Sequence, residues 1–163
     1  MATLTSSKYE SPVGTLSLVS SQYALRAVLW PTDDGSRVDV GRPSAGASPL
    51  LDRVRRQLDR YFQGSLRSFD LPLELVGTDF QRSVWTAVEK VEWGATATYT
   101  DLAVAIDRPN AVRAVASAVG RNPLSIVIGC HRIVGRDGSL RGYAGGLPAK
   151  KFLLDLEGWS AKT

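Results

Sequence analysis

Apolar and polar residues alternate along the first 30 positions, a period that is typical of β-strands. Residues 15–19 and 23–30 follow this alternation, and a Pro-Gly turn signal at residues 11–14 separates them from a strand over residues 7–10. Residues 31–48 are rich in Pro, Gly, Ser and Asp, which predicts a loop. The chain therefore begins with a small group of strands.

From there the apolar positions of residues 49–62 recur at helical spacing. Ser48 is placed to cap this helix and Gly64 to end it. An extended segment, interrupted by a proline, follows over residues 66–76. We find no catalytic pattern in residues 1–79 and interpret them as an α+β scaffold domain.

The second part of the chain, residues 80–163, is dominated by short helices. A helix opened by residues 77–79 is followed by a short helix over residues 98–106, a turn at residues 107–110 and a second short helix over residues 111–120. Two short helices joined by about four residues resemble a helix-turn-helix. Many ordinary helix pairs share that spacing, so the signal alone is weak.

Small residues dominate the second of these helices, and Arg113 is its charged side chain. A helix that reads base edges in the major groove carries larger polar residues. Small residues suit a close approach to a backbone or a narrow groove instead. The alternative is a helix buried against a neighbour, which Arg113 disfavours.

The last predicted helix covers residues 149–157, after Pro148 in its first turn and before Gly158. Its expected apolar stripe consists of Phe152, Leu153 and Leu156. The preceding residues 141–146 are rich in glycine, so their backbone can come close to a ligand.

The only cysteine, Cys130, and the only histidine, His131, are neighbours. Apolar, mostly β-branched residues flank them, and we expect short buried strands over residues 127–128 and 133–134. A thiol beside an imidazole can be a nucleophile with its base; the alternative is a small buried residue beside an ordinary histidine. One Cys and one His exclude an internal disulfide and a Cys/His zinc site, so we expect no metal, and a reducing cytoplasm fits.

Length and charge narrow the class of protein. At 163 residues and 44% hydrophobic content, the chain suits one domain or two small ones, and no apolar run approaches the length of a membrane span. The formal net charge of +4 lies entirely in residues 80–163, because basic and acidic residues are equal in number before them. Such an excess favours a polyanionic partner only together with a binding motif.

Seven short motifs occur in order: residues 80–85, 99–103, 111–115, 120–123, 130–132, 142–146 and 156–158. Together they resemble the O6-alkylguanine-DNA alkyltransferase family, almost continuously from residue 80 onwards, and the first half resembles the family's N-terminal domain more loosely. The resemblance implies an α+β fold. A small α/β, ribonuclease H-like domain with an antiparallel sheet would occupy residues 1–79, and a helix-turn-helix, winged-helix-like domain residues 80–163.

The resemblance implies direct DNA repair. Such a protein binds double-stranded DNA in the minor groove, flips the damaged nucleotide out of the stack, and transfers the alkyl group of O6-alkylguanine, or of O4-alkylthymine, irreversibly to its own cysteine. It uses no cofactor, is consumed in one turnover, and acts in the cytoplasm away from membranes. We expect a monomer, with cooperative binding to DNA left open.

The resemblance also assigns catalytic roles. Cys130 is the nucleophile and must attack as a thiolate. His131 takes the proton through a bridging water, and Glu157 holds the far ring nitrogen of the imidazole. Tyr99 donates a proton to N3 of the leaving guanine, and Asn122 braces the segment between the DNA-binding helix and the active site.

The remaining roles concern substrate and DNA. The Ala144 N–H faces O6, and backbone carbonyls near Cys130 and Ile133 accept from the 2-amino group. Arg113 fills the place of the flipped base. The residues that the resemblance assigns to substrate or DNA are Arg113, Ala114, Ser117, Ile133, Tyr143 and Ala144.

Two positions depart from the family pattern. Gly129 stands where the family commonly has proline, and Ala144 where some members have serine. Two other interpretations stay open. One is a relative that binds O6-alkylguanine without transferring the alkyl group, against which the presence of Cys130 argues; the other, more remote, is a cysteine hydrolase.

Overall fold

The alternating apolar residues of the N-terminal part build a sheet. The structure, a computed structural model that describes residues 3–159, contains three antiparallel strands, β1 (Thr5–Ser11), β2 (Gly14–Ser20) and β3 (Leu25–Leu29). A fourth strand, β4 (Ser44–Ala45), pairs in parallel with β1, which gives the order β3-β2-β1-β4. The predicted antiparallel sheet is therefore confirmed for three strands. It is wrong for β4, because two exposed residues carry no alternating signal.

Helix α1, Pro49–Phe62, packs on this sheet and begins where the sequence predicts. The Ser48 side chain accepts a hydrogen bond from the Leu51 N–H, which satisfies one of the free donors of the first turn. Gly64 follows the end of the helix with φ +78°, a conformation that glycine adopts without strain. The buried stripe of the helix consists of Leu51, Val54, Leu58 and Tyr61.

The chain forms two compact units. The first ends at Val76 and also contains Pro123–Val127; the second contains Gly77–Asn122 and resumes at Ile128. The sequence predicts a boundary after residue 79, with residues 123–127 in the second domain. The sequence of residues 123–127 does not indicate that this segment belongs to the first unit, because its placement depends on partners that are far away in the sequence.

Within the first unit, the returning segment is fixed by β3 and the residue that follows it. The Val28 N–H donates to the Pro123 carbonyl oxygen over 2.9 Å, and Trp30 Nε1 donates to Ser125 Oγ over 3.0 Å. Ile126 has φ +72°, rare for a β-branched residue, in a turn closed by the Val127 N–H. The strand predicted over residues 127–128 is therefore wrong, since a tight turn occupies its start.

As far as residue 159, the second unit contains four α-helices and a two-stranded parallel sheet, in the order α2 (Asp79–Glu89), β5 (Ala97–Thr98), α3 (Tyr99–Ala105), α4 (Val112–Gly120), β6 (Ile133–Val134) and α5 (Leu147–Leu156). Thr78 and Thr98 begin α2 and α3 with capping boxes. Helices α3 and α4 pack against each other and against α2, as the predicted helix pair requires. None of the helices in residues 3–159 combines the length and apolar composition that a membrane span requires.

Candidate active site

A short 3₁₀ helix, Cys130–Arg132, places the two reactive side chains. It leads directly into β6, and the Cys130 N–H donates to the Ile128 carbonyl oxygen over 2.7 Å. Cys130 is 5% exposed and lines a cavity, whereas His131 is fully buried. The turn thus presents the thiol to the cavity and the imidazole to the interior.

Asn122, just beyond the end of α4, is bound to the thiol. Its Nδ2 donates to the Ile128 carbonyl oxygen over 3.0 Å and to the Cys130 sulfur over 3.2 Å. The side chain is buried, so water does not compete for these bonds. A hydrogen bond donated to sulfur favours the thiolate over the thiol. This contact adds thiolate stabilisation to the bracing role predicted for Asn122.

Behind the thiol, Glu157 holds His131. The imidazole Nε2 lies 2.7 Å from Glu157 Oε2, and an ionised carboxylate only accepts, so Nε2 carries the proton. Nδ1 is buried and has no hydrogen-bond partner within residues 3–159, which leaves its lone pair available as a base. Burial lowers the pKa of His131 and outweighs the opposing hydrogen bond and charge of Glu157, so the ring is neutral at neutral pH.

Arg132, which the sequence analysis did not single out, shares this carboxylate. Its Nε donates to Glu157 Oε1 over 2.8 Å, its Nη2 donates to Oε2 over 3.0 Å, and its Nη1 donates to the Val91 carbonyl oxygen over 2.7 Å. Burial raises the pKa of Glu157, but hydrogen bonds from His131 and Arg132, together with the charge of Arg132, outweigh it and lower the pKa to about 2. Glu157 is therefore ionised at neutral pH.

Lys150 is a second buried cation that the sequence analysis missed. It lies in α5, and its Nζ donates to the Ile133 carbonyl oxygen over 2.5 Å and to the Arg141 carbonyl oxygen over 3.4 Å. Burial lowers the pKa of Lys150 to about 8, against the opposing charge of Cys130. The Ile133 carbonyl, predicted to accept from the substrate, thus already accepts from a lysine.

A cavity of about 550 Å³ opens at Cys130. Its lining consists of Tyr99, Ala116, Val119, Gly120, Cys130, Arg141, Gly142, Tyr143 and Ala144. Burial raises the pKa of Tyr99, the charge of Cys130 adds to the rise, and Arg141 opposes it. The Tyr99 hydroxyl therefore keeps its proton at neutral pH and can donate it. A largely apolar cavity with few polar groups suits a flat aromatic ligand.

Helix α4 has two faces with different surroundings. The residues that line the cavity are Ala116, Val119 and Gly120. The residues exposed to solvent include Arg113, Ala114 and Ser117. Helix α4 does pack against its neighbours α2 and α3, but it is not fully buried, and Ala114 and Ser117, predicted to approach a nucleic acid, are accessible.

The structure brings most of the predicted site residues together. Asn122, Cys130, His131 and Glu157 form one connected cluster, and Tyr99, Tyr143 and Ala144 line the cavity beside it. Ile133 is buried in β6 and is not part of that lining. Arg132, Lys150 and Arg141 are the functional candidates that sequence reasoning missed.

A helical pattern could have revealed Lys150. The buried face of α5 and its end consists of Ala149, Lys150, Leu153, Leu154 and Glu157, and the predicted stripe is wrong for Phe152, which is 40% exposed. Lys150 and Glu157 recur at the spacing of the leucines, and charged residues on an apolar stripe indicate a buried function. Arg132 has no such signal, because Val91 and Glu157 are distant in the sequence.

Both parts of the chain match one protein family. Residues 79–159 match the family described as "6-O-methylguanine DNA methyltransferase, DNA binding domain", and residues 4–75 match its "ribonuclease-like domain". The chain is 43% identical over 148 residues to the methylated-DNA–protein-cysteine methyltransferase of Methanosarcina barkeri, which covers 91% of this chain and 93% of that protein. A protein of the same name from Haemophilus influenzae is 41% identical over 150 residues, 91% of this chain and 83% of that protein.

Solved structures agree with these matches. The crystal structure of Mycobacterium tuberculosis OGT in complex with DNA is 37% identical to this chain, with a TM-score of 0.81, and the match covers 94% of this chain and 91% of that one. The fold is thus similar to that of a protein solved with DNA bound.

Proposed function

The chain belongs to the 6-O-methylguanine DNA methyltransferase family, and we propose that it repairs duplex DNA by moving the alkyl group of O6-alkylguanine to Cys130. It is an enzyme of the class that methylates a protein cysteine from DNA, as its relatives' names describe, and DNA is its partner. The observation that carries the residue assignment is the Cys130 sulfur, which lines the cavity and accepts a hydrogen bond from Asn122.

In the proposed step, His131 Nδ1 accepts the thiol proton of Cys130 through one water. The thiolate attacks the alkyl carbon, so the S–C bond forms as the C–O6 bond breaks and its electron pair remains on the guanine. Tyr99 donates its proton to N3 of the leaving guanine and is reprotonated from the imidazolium, which balances the charge. The Ala144 N–H faces O6. O4-alkylthymine presents the same kind of bond and is a second substrate.

A base stacked in a duplex cannot reach Cys130, so the nucleotide must leave the stack and enter the cavity. We place the exposed face of α4 in the minor groove, where Ala114 and Ser117 allow close contact and Arg113 occupies the space of the flipped base. The excess of basic residues in the second half supports contact with phosphates. A monomer suffices, because every proposed group belongs to one chain.

Each chain should react once. The product thioether is a poor leaving group, and the chain has no second cysteine to accept the alkyl group. The lone cysteine must stay reduced to react, which fits the cytoplasm.

The test is an intact-mass and peptide-mass measurement after incubation with a duplex that carries one O6-methylguanine. We expect one methyl group per chain, on the peptide that contains Cys130. Cys130→Ser should still bind the duplex and gain no mass. Repeated turnover by substoichiometric protein, or binding without any mass gain, would show that this chain is a hydrolase or a lesion-binding protein instead.

A further inference from the structure

Arg132 donates three hydrogen bonds within the active cluster. Its guanidinium spans both oxygens of Glu157 and the Val91 carbonyl oxygen, and its side chain is only 10% exposed. Glu157 Oε2 receives one bond from Arg132 and one from His131. The carboxylate that orients the imidazole is therefore itself oriented by the arginine.

The charges of the cluster do not cancel. Within residues 3–159, the titratable groups that act on the imidazole are Arg132, Tyr143, Lys150 and Glu157, and Cys130 precedes His131 in the chain. With a neutral thiol and a neutral imidazole, the two cations outnumber the one carboxylate. A proton from solvent would add a further buried positive charge, which is unfavourable at low dielectric. A proton from Cys130 leaves the net charge unchanged.

We propose that Arg132 is a positioning residue of the transfer reaction: it fixes Glu157 and keeps His131 uncharged until the Cys130 thiolate forms. This inference rests on the proposed function, because it assigns the thiol proton to His131. Arg132 is not among the residues that line the cavity, and in this proposal it acts through Glu157 and His131. Without its charge, the pKa of His131 would rise, so a larger fraction of the rings would take a proton from solvent and lose the lone pair that serves as the base.

Gly129 leaves room for Arg132 in this chain. A Cβ atom at position 129 would lie 3.0 Å from Cδ, Nε and Nη1 of Arg132, closer than such atoms normally approach. The guanidinium cannot yield easily, because three hydrogen bonds hold it. The glycine therefore leaves the space in which Arg132 lies, at the residue directly before the nucleophile.

The single histidine makes a direct test feasible, because every imidazole signal in a nitrogen NMR spectrum belongs to His131. The parent should show a neutral ring with the proton on Nε2 at pH 7. Arg132→Gln keeps a hydrogen-bond donor without the charge and should move the titration midpoint of His131 to higher pH. Arg132→Lys keeps the charge and should leave the midpoint near that of the parent.

Rates of methyl transfer to Cys130 provide a second reading. We expect Arg132→Gln to transfer the methyl group roughly tenfold more slowly at pH 7. The acid limb of its pH–rate profile should follow the new midpoint of His131. Arg132→Lys should recover part of the lost rate. Arg26→Gln is the matched control, because it removes the charge of an Arg–carboxylate pair, with Glu74, in the first unit. It should change neither the midpoint nor the rate.

An unmoved midpoint in folded Arg132→Gln would overturn the proposal and leave Arg132 a purely structural residue. If Arg132→Gln does not fold, Gly129→Ala presses on the guanidinium without removing its charge. Its midpoint should then move in the same direction, and an unmoved one would count equally against the proposal. The titration needs no substrate, so failure of the parent to methylate Cys130 would be a separate result, against the proposed function alone.

Discussion

In the cluster around Cys130, charged and polar side chains are buried and bonded to one another, whereas the exposed face of α4 offers small side chains and the cation Arg113 to solvent. When one charge of a buried cluster is removed, its partner charge stays buried and unpaired, which costs free energy. The reaction then suffers with every substrate, whether it is a base in duplex DNA or a free base. Removal of a charge from an exposed face costs little until a partner binds. Variants of the cluster should therefore affect every substrate, and variants of the helix face only duplex DNA.

Glu157→Gln should have the largest effect. The amide cannot stabilise an imidazolium as a carboxylate does, so transfer should slow by about 100-fold or more, equally for duplex O6-methylguanine and for free O6-benzylguanine. Single-turnover rates on both substrates measure this, with Glu74→Gln as the control in the first unit. A loss of rate with duplex DNA alone would contradict the distinction between the buried cluster and the exposed face of α4.

Lys150→Met tests whether burial of the Lys150 ammonium makes the stability of the protein depend on pH. The pKa of Lys150 is about 8 when folded and ordinarily 10.5, so between these values the unfolded chain holds a proton that the folded one has released. Stability therefore rises with pH across this window, by roughly 3 kcal/mol. Urea unfolding at several pH values should show this rise in the parent and in the exposed neighbour variant Lys151→Met, and lack it in Lys150→Met. Parallel curves for all three proteins would mean that Lys150 titrates normally.

Arg113→Ala tests the helix face. If the side chain fills the place of the flipped base, repair of duplex DNA should fall by roughly tenfold while reaction with free O6-benzylguanine is retained. Arg108→Ala removes another exposed cation from the preceding turn and should cost much less. Equal losses on duplex and free base would show that Arg113 instead supports the helix pair.

Of these changes, the difference in stability between two variants of position 129 should be the smallest. The φ of Gly129 is −73°, close to the value that proline imposes, but any Cβ there presses on Arg132. Alanine adds only the close contact between its Cβ and Arg132. Proline adds the same contact but also restricts the conformations of the unfolded chain, which favours folding. We expect Gly129→Pro to exceed Gly129→Ala in stability by 0.4–1 kcal/mol. Thermal melts compare the pair, and a less stable proline variant would indicate that the Gly129 N–H makes a hydrogen bond.

Helix positions were largely predictable. Ser48 and Thr98 cap α1 and α3 with bonds to residues three positions away, and the 3.6-residue period marks which side chains face inward. Two predictions from short-range patterns were wrong: the strand over residues 127–128 and the buried position of Phe152. In the first case a strained turn replaced the strand, and in the second the buried stripe ran through Lys150.

The sequence by itself determined the positions of the helices, four of the strands (β1, β2, β3 and β6), and the adjacency of Cys130 and His131, because capping, periodicity and neighbourhood depend on residues a few positions apart. Only the tertiary structure decided that Arg132 and His131 share Glu157, that Lys150 binds the Ile133 carbonyl, and that Asn122 donates to the sulfur. Those contacts fix the charge state of each group, because the free energy of a buried charge depends on partners that the fold brings together from distant parts of the chain.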